Sequence, residues 1–377
     1  MTIILNQNQD LTLKERFFNL NFPFILIICL LATIGCIILY SAAGGSLHPW
    51  ALNQGMRFIM GLIIMLIAAL IPPHFYYQIA TPCYLITLLL LIIVDIAGYK
   101  GMGAQRWIDL KIIKLQPSEL MKIAIVLQLA KYFSLTPLSE IKTIRGLLVP
   151  IIITAIPIAF ILLQPDLGTS LMIAFTATAL FFLAGVEWYK FATLIGLGAL
   201  SAPILWHKLH TYQQNRILTF LNPERDPQGT GYHIIQAKIA LGSGGLTGKG
   251  FLSGTQSHLN FLPEKHTDFI FTMFSEEFGM LGGVFILILN LILISYCHWF
   301  AFRIHPSNYF GKMVILGLTT NYFLYVFINI AMVIGLLPVV GVPLPLISYG
   351  GTVIISVMAS FGIILSFYVN RDKELKK

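Results

Sequence analysis

A chain of 377 residues that is 57% hydrophobic and only 11% charged cannot wet the surface of a soluble globule, which needs about 25% charged residues. Together with a mean hydropathy of +0.81, this excludes a soluble enzyme and a disordered chain. What remains is an all-α polytopic membrane protein of about ten spans, at roughly 20 apolar residues per span. The net charge of +8 reads as membrane topology plus an anionic ligand and not as nucleic-acid binding, because the basic residues sit between apolar runs.

Residues 1–20 are polar, carry Lys14 and Arg16, and are expected to form a cytoplasmic tail. The run from Phe22 to Tyr40 is the first span. Ser41-Ala42-Ala43 would suit signal cleavage, but the apolar core exceeds the usual ~7–15 residues, and Asp10 and Glu15 precede it. A retained helix is therefore expected. Further spans are expected near 55–72, 80–98, 117–134, 146–163, 167–186, 190–207, 268–300, 312–336 and 348–369. Pro72-Pro73, Pro117 and Pro165 mark their ends. The eighth run is too long for one span and is expected to tilt or protrude. Cys29, Cys36, Cys83 and Cys297 lie in or beside apolar runs without CxxC spacing, so neither a disulfide framework nor a thiolate metal site is expected.

Ten spans place both termini on one side. That side carries twelve Lys and Arg, and so does the other. The positive-inside rule applies to short loops, and six of the opposite twelve lie between Lys208 and Lys265. Setting that stretch aside leaves 12 against 6. The termini are then cytoplasmic, with a short tail at 370–377, and the long loop 208–267 is extracytoplasmic, between spans seven and eight. Five of the remaining six, Lys100, Arg106, Lys111, Lys114 and Lys122, cluster around one outer loop. Charge that opposes insertion implies a ligand, and an anion at the outer surface is the natural one.

Several residues carry candidate chemistry. Glu119 and Lys122 share a face at i and i+3, just inside the bilayer, where an ionised group costs roughly 2.5–3.5 kcal/mol. Either they form a local ion pair or they line a polar cavity. The glycine-rich run Leu241–Gly250 resembles a P-loop only superficially. Ser243 stands where the motif needs its first glycine, and Gly250 follows Lys249 in place of Ser or Thr. A surface or re-entrant loop is expected, with backbone approach to a phosphate as the alternative. Asp268, beside Glu264, Lys265 and His266, either favours the dipole of the eighth helix after a capping Thr267 or acts as a general base on a sugar hydroxyl. Glu276 and Glu277 lie about 12–14 Å deeper on the same helix at 1.5 Å per residue and suggest a polar interior or ion movement. His207, His210 and His258 lack convincing metal spacing. The three-proline stretch Leu337–Gly351 reads as a stiff outer loop.

The strings Gly103-Ala104-Gln105-Arg106-Trp107-Ile108-Asp109, Gln116-Pro117-Ser118-Glu119, Gln164-Pro165-Asp166-Leu167-Gly168-Thr169-Ser170 and Pro343–Gly351 resemble the SEDS family (shape, elongation, division and sporulation). The resemblance runs from about residue 20 to 370. The string from Gly254 to Glu264, running on through His266-Thr267-Asp268-Phe269, is more like the elongation members than the division members.

The resemblance implies a single ten-helix domain that polymerises lipid II into glycan strands at the outer face of the bacterial cytoplasmic membrane. Asp268 matches the family's essential carboxylate. Arg106 and Lys114 match basic positions of the outer cavity, and Glu119 and Lys122 match polar ones. Glu264, His266 and Ser348 join the expected substrate-binding set. Expected partners are lipid II, the nascent glycan, membrane lipid, a class B penicillin-binding protein and the elongation machinery, with no nucleic acid. No cofactor is called for, and a divalent cation is left open. A lipid II flippase and a non-catalytic scaffold are the alternatives.

Overall fold

Each of the ten apolar runs is a helix in a computed structural model, which describes residues 11–101, 104–109, 114–208, 211–226, 230–259 and 264–372. The elements in chain order are α1 (Leu13–Phe18), α2 (Phe22–Ala42), α3 (Trp50–Leu70), α4 (Pro73–Ala97), strands β1 (Tyr99–Gly101), β2 (Ala104–Asp109) and β3 (Lys114–Leu115), then α5 (Pro117–Leu135), α6 (Leu138–Ile141), α7 (Ile144–Leu163), α8 (Leu167–Leu183) and α9 (Trp188–Lys208). The chain continues with α10 (Thr211–Leu221), a 3₁₀ turn (Pro223–Arg225), α11 (Thr230–Ser243), α12 (Thr255–His258), α13 (Ile270–Arg303), α14 (Tyr309–Val333) and α15 (Gly351–Val369). Among the described residues, α2, α3, α4, α7, α13, α14 and α15 are the seven helices long and apolar enough to cross a membrane. The other three expected spans are α5, which carries Glu119, Lys122 and Lys131, the 17-residue α8, and α9. The chain is a multi-pass membrane protein.

Local chemistry sets the helix starts. Proline opens α4 and α5, where its missing N–H would be unpaired anyway. Asn21, Thr143, Asp166 and Asn308 cap α2, α7, α8 and α14 with side-chain oxygens. Helices α5, α14 and α15 form the centre and are buried along most of their length. The outer helices turn Leu and Ile outward, as lipid contact requires. Close packing replaces the hydrophobic effect between spans. A Cβ on Gly362 of α15 would stand 2.5 Å from the Met65 carbonyl of α3, so only glycine fits that crossing.

Three features depart from the sequence reading. The outer loop after α4 is an antiparallel ribbon, with Tyr99 opposite Trp107 and Ile108 opposite Leu115. Helix α13 does not simply protrude. It breaks at Gly279, whose φ of 67° and ψ of −166° are non-helical and open to glycine alone. The carbonyls of Gly245 and Leu246 accept the Met280 and Leu281 N–H groups at 2.9 and 3.1 Å, so the long loop replaces the helical bonds lost at the break. That loop is itself folded, with α11 packed along α13.

One end of the bundle gathers the end of α2, the start of α3, the ribbon, the α7–α8 turn, the long loop and residues 337–350. The opposite end carries Arg16, whose Nη1 donates to the Leu70 carbonyl at 2.7 Å, together with Lys190, Arg303 and Arg371.

Candidate active site

The backbone of residues 266–268 is held at three consecutive carbonyls. Tyr349 N–H donates to His266 O at 2.9 Å, Ser348 Oγ donates to Thr267 O at 2.7 Å, and Asn329 Nδ2 donates to Asp268 O at 2.9 Å. Asn329 also reaches the Val342 carbonyl at 2.7 Å, and Ser348 Oγ accepts the Leu344 N–H at 2.8 Å. The stiff stretch 337–350 and α14 therefore aim one carboxylate. Helix α13 starts at Ile270 with Phe269 as its uncapped N-cap, and Thr267 Oγ1 donates to Glu264 Oε2 at 2.8 Å. The capping reading of Thr267 and Asp268 is thus corrected: Asp268 precedes the helix. Burial lifts its carboxyl from 3.8 to about 6, with Glu264 adding to the rise and Arg216 opposing it. A base titrating near working pH suits proton transfer.

Asp268 lies beside Gly341, one of the residues that line a polar cavity. A Cβ on Gly341 would lie 3.5 Å from Asp268 Oδ2, and Gly341 lines a cavity of about 210 Å³ with Arg106, Gln116, Glu119, Lys122, Asp166 and Tyr325. Ligand pockets, clefts and cavities alike, run roughly 300–1,000 Å³, so this one is smaller than a typical whole-ligand pocket.

The expected residues take different places. Glu119 and Lys122 are buried, pair at 2.7 Å and share Tyr325 Oη, while Ser356 Oγ donates to Glu119 Oε2 at 3.1 Å. The two sequence readings are both realised, since the ion pair is also cavity wall. Arg106 lines the cavity but spends its guanidinium on backbone. Its Nε donates to Gln164 O at 3.1 Å and its Nη2 to Pro165 O, which fixes the turn into α8. His266 stacks on Trp50 with ring centroids 4.4 Å apart and planes 11° apart, and burial pushes its pKa below 6.5. Ser348 is buried and bonded to backbone, so it shapes the seat of Asp268, and it is not among the residues that line the cavity. Lys114 belongs to β3, but its side chain lies outside what the structure describes, as do residues 110–113, which include Lys111. Among the described residues, no three His, Cys, Asp or Glu converge to hold a metal ion.

Three contributors were not picked out as site residues by the sequence. Asp166 caps α8 and accepts from Gln116 Nε2 at 3.2 Å. Asn329 is an amide inside an apolar run. Trp50 meets His266 across more than 200 residues. Only Asp166, inside a family motif, was marked in the sequence.

The profile of the cell cycle protein family of FtsW, RodA and SpoVE matches residues 22–373. The chain is 43% identical over 348 residues to the peptidoglycan glycosyltransferase MrdB of Escherichia coli K12, spanning 92% of this chain and 93% of that one. A chain from a peptidoglycan synthase complex that coordinates polymerization and crosslinking superposes with a TM-score of 0.82 at 27% identity, over 93% of this chain and 98% of its own. The rod shape determining protein RodA of Thermus thermophilus gives a TM-score of 0.69 at 26% identity, over 94% and 97%. This chain belongs to the FtsW/RodA/SpoVE family, the SEDS family, as its motifs imply.

Proposed function

We infer that this protein is a peptidoglycan glycosyltransferase of cell-wall elongation that polymerises lipid II at the outer face of the bacterial cytoplasmic membrane, with both termini in the cytoplasm. Asp268 takes the proton from the acceptor GlcNAc 4-hydroxyl. That oxygen attacks C1 of the donor MurNAc with inversion. The C1–O bond to phosphate breaks, and undecaprenyl diphosphate leaves with the electron pair. Asp268 then gives its proton to water. Arg106 and Lys114 offset the diphosphate charge.

The observation that carries this reading is the seat of Asp268. The Asp268 carboxyl is raised to about 6, the backbone that carries it is held at three consecutive carbonyls, and it lies beside Gly341, which lines a cavity with Arg106 and Lys122. Proton abstraction needs both a tuned base and a fixed one. A class B penicillin-binding protein is the expected partner, joining the new strands within the elongation machinery.

Purified protein in vesicles loaded with lipid II tests the proposal. Gel-resolved glycan strands are expected, with a higher rate when the partner is present. Transbilayer movement of labelled lipid II without polymer would replace this reading with a flippase, and neither activity would leave a scaffold.

A further inference from the structure

Glu276 and Glu277 are fully buried, three and two residues before the break in α13, and the proposed chemistry uses neither. Glu276 Oε1 accepts from Lys249 Nζ at 2.8 Å, from the Gln256 N–H at 2.8 Å and from Thr255 Oγ1 at 3.3 Å. Lys249 Nζ also reaches Thr255 Oγ1 at 2.7 Å. Backbone bonds reinforce the contact, from Lys249 N to Glu276 O at 3.0 Å and from Gly250 N to Glu277 O at 2.9 Å. A Cβ on Gly248 would stand 2.1 Å from the Glu277 carbonyl, so the loop lies directly against the helix. Glu277 Oε1 accepts from Ser41 Oγ at 2.5 Å, which ties the end of α2 to the same point.

The topology gives this clasp a consequence for catalysis. The chain leaves it at Gln256, carries Glu264, His266 and Asp268, and returns to the same helix at Ile270. Both ends of the arc are therefore fastened to α13, one by covalent continuity and the other by the Glu276 carboxylate. We infer that Glu276, with Lys249, is a positioning residue: its carboxylate closes the arc that carries Asp268 and so sets where that base stands. This inference rests on the catalytic reading of Asp268. Charge-assisted bonds from a lysine and a backbone amide to one buried oxygen are strong and directional, and a misplacement of about 1 Å costs on the order of 100-fold in rate. The ion-movement reading of these carboxylates gives way to an anchoring one.

The test uses the full chain with Glu276→Gln, Lys249→Ala and the charge exchange Lys249→Glu/Glu276→Lys. Lys249→Ala removes a part-exposed side chain and leaves Glu276 its Gln256 N–H and Thr255 Oγ1 donors, whereas Glu276→Gln removes the buried charge itself, so the two variants load the fold differently and either one that folds tests the clasp. We expect kcat for lipid II polymerisation to fall about 10- to 100-fold, with KM changed less than about twofold. The acidic limb of the rate profile, set by Asp268 under Glu264 and Arg216, should move below 6 as a loosened arc admits water. Hydrogen exchange should quicken across 256–259 and 264–268 while residues 280–303 stay protected. The charge exchange should recover part of kcat. Unchanged kcat and pH limb, or loss of kcat together with protection in 280–303, would overturn the proposal. Exchange reports the clasp even in a protein that makes no polymer, so failure of the catalytic reading is distinguishable from failure of this one.

Discussion

Replacing Asp268 with Asn separates a catalytic carboxylate from a structural one, because the two predict opposite changes in stability. In the folded protein burial, with help from Glu264, lifts the Asp268 carboxyl from 3.8 to about 6. Its folded pKa is therefore above its unfolded value. Its contribution to stability is fully present below about 3.8 and is lost as pH rises through about 6. At about 1.36 kcal/mol per pH unit the ionised group costs about 3 kcal/mol at pH 8, and screening of a partly exposed carboxylate reduces this to about 1–2 kcal/mol. Asparagine never ionises. Asp268→Asn should therefore melt about 2–4 °C higher at pH 8, with the advantage gone near pH 4. Polymerisation should fall roughly 10²–10⁴-fold. Tryptophan fluorescence melts at pH 4, 6 and 8, run beside a glycan-strand gel, measure both. A variant that melts lower than wild type at every pH would refute the reasoning and make Asp268 a helix-start residue.

Removing the like charge in Glu264→Gln should move the acidic limb of the polymerisation profile to lower pH, which a rate series between pH 4.5 and 8 would detect. Lys122→Ala strands a buried carboxylate and should cost about 3–5 kcal/mol, read as lost membrane yield, whereas Glu119→Gln with Lys122→Met should recover much of the yield without restoring full activity. Arg106→Lys keeps the charge but loses the planar fork that holds the Gln164 and Pro165 carbonyls, so a lower melting temperature and a lower rate should appear together.

Much of the fold was legible because a bilayer imposes length and apolarity on every span. The ten runs appear as helices, and the Glu119–Lys122 pair follows from i, i+3 spacing alone. The break at Gly279 was not legible, because one glycine between Phe278 and Met280 does not interrupt an apolar run, and the loop that completes its hydrogen bonds lies some thirty residues earlier. The ribbon was hidden by the glycines and charges around Arg106, which read as coil. Asp268 was legible as a boundary carboxylate, but its place before the helix that starts at Ile270, and the hold of Asn329, Ser348 and Tyr349 on the carbonyls of residues 266–268, were not. Those contacts, like Trp50 on His266 and Lys249 on Glu276, join distant segments and leave no periodic trace.

The central claim is that Asp268 performs glycosyl transfer and is not part of the scaffold. The most direct measurement is lipid II polymerisation by wild type and Asp268→Asn in matched vesicles, with lipid II retention measured in the same samples. The account predicts glycan strands from wild type alone and equal retention of lipid II by both. Strands made by Asp268→Asn at a rate near that of wild type would contradict it.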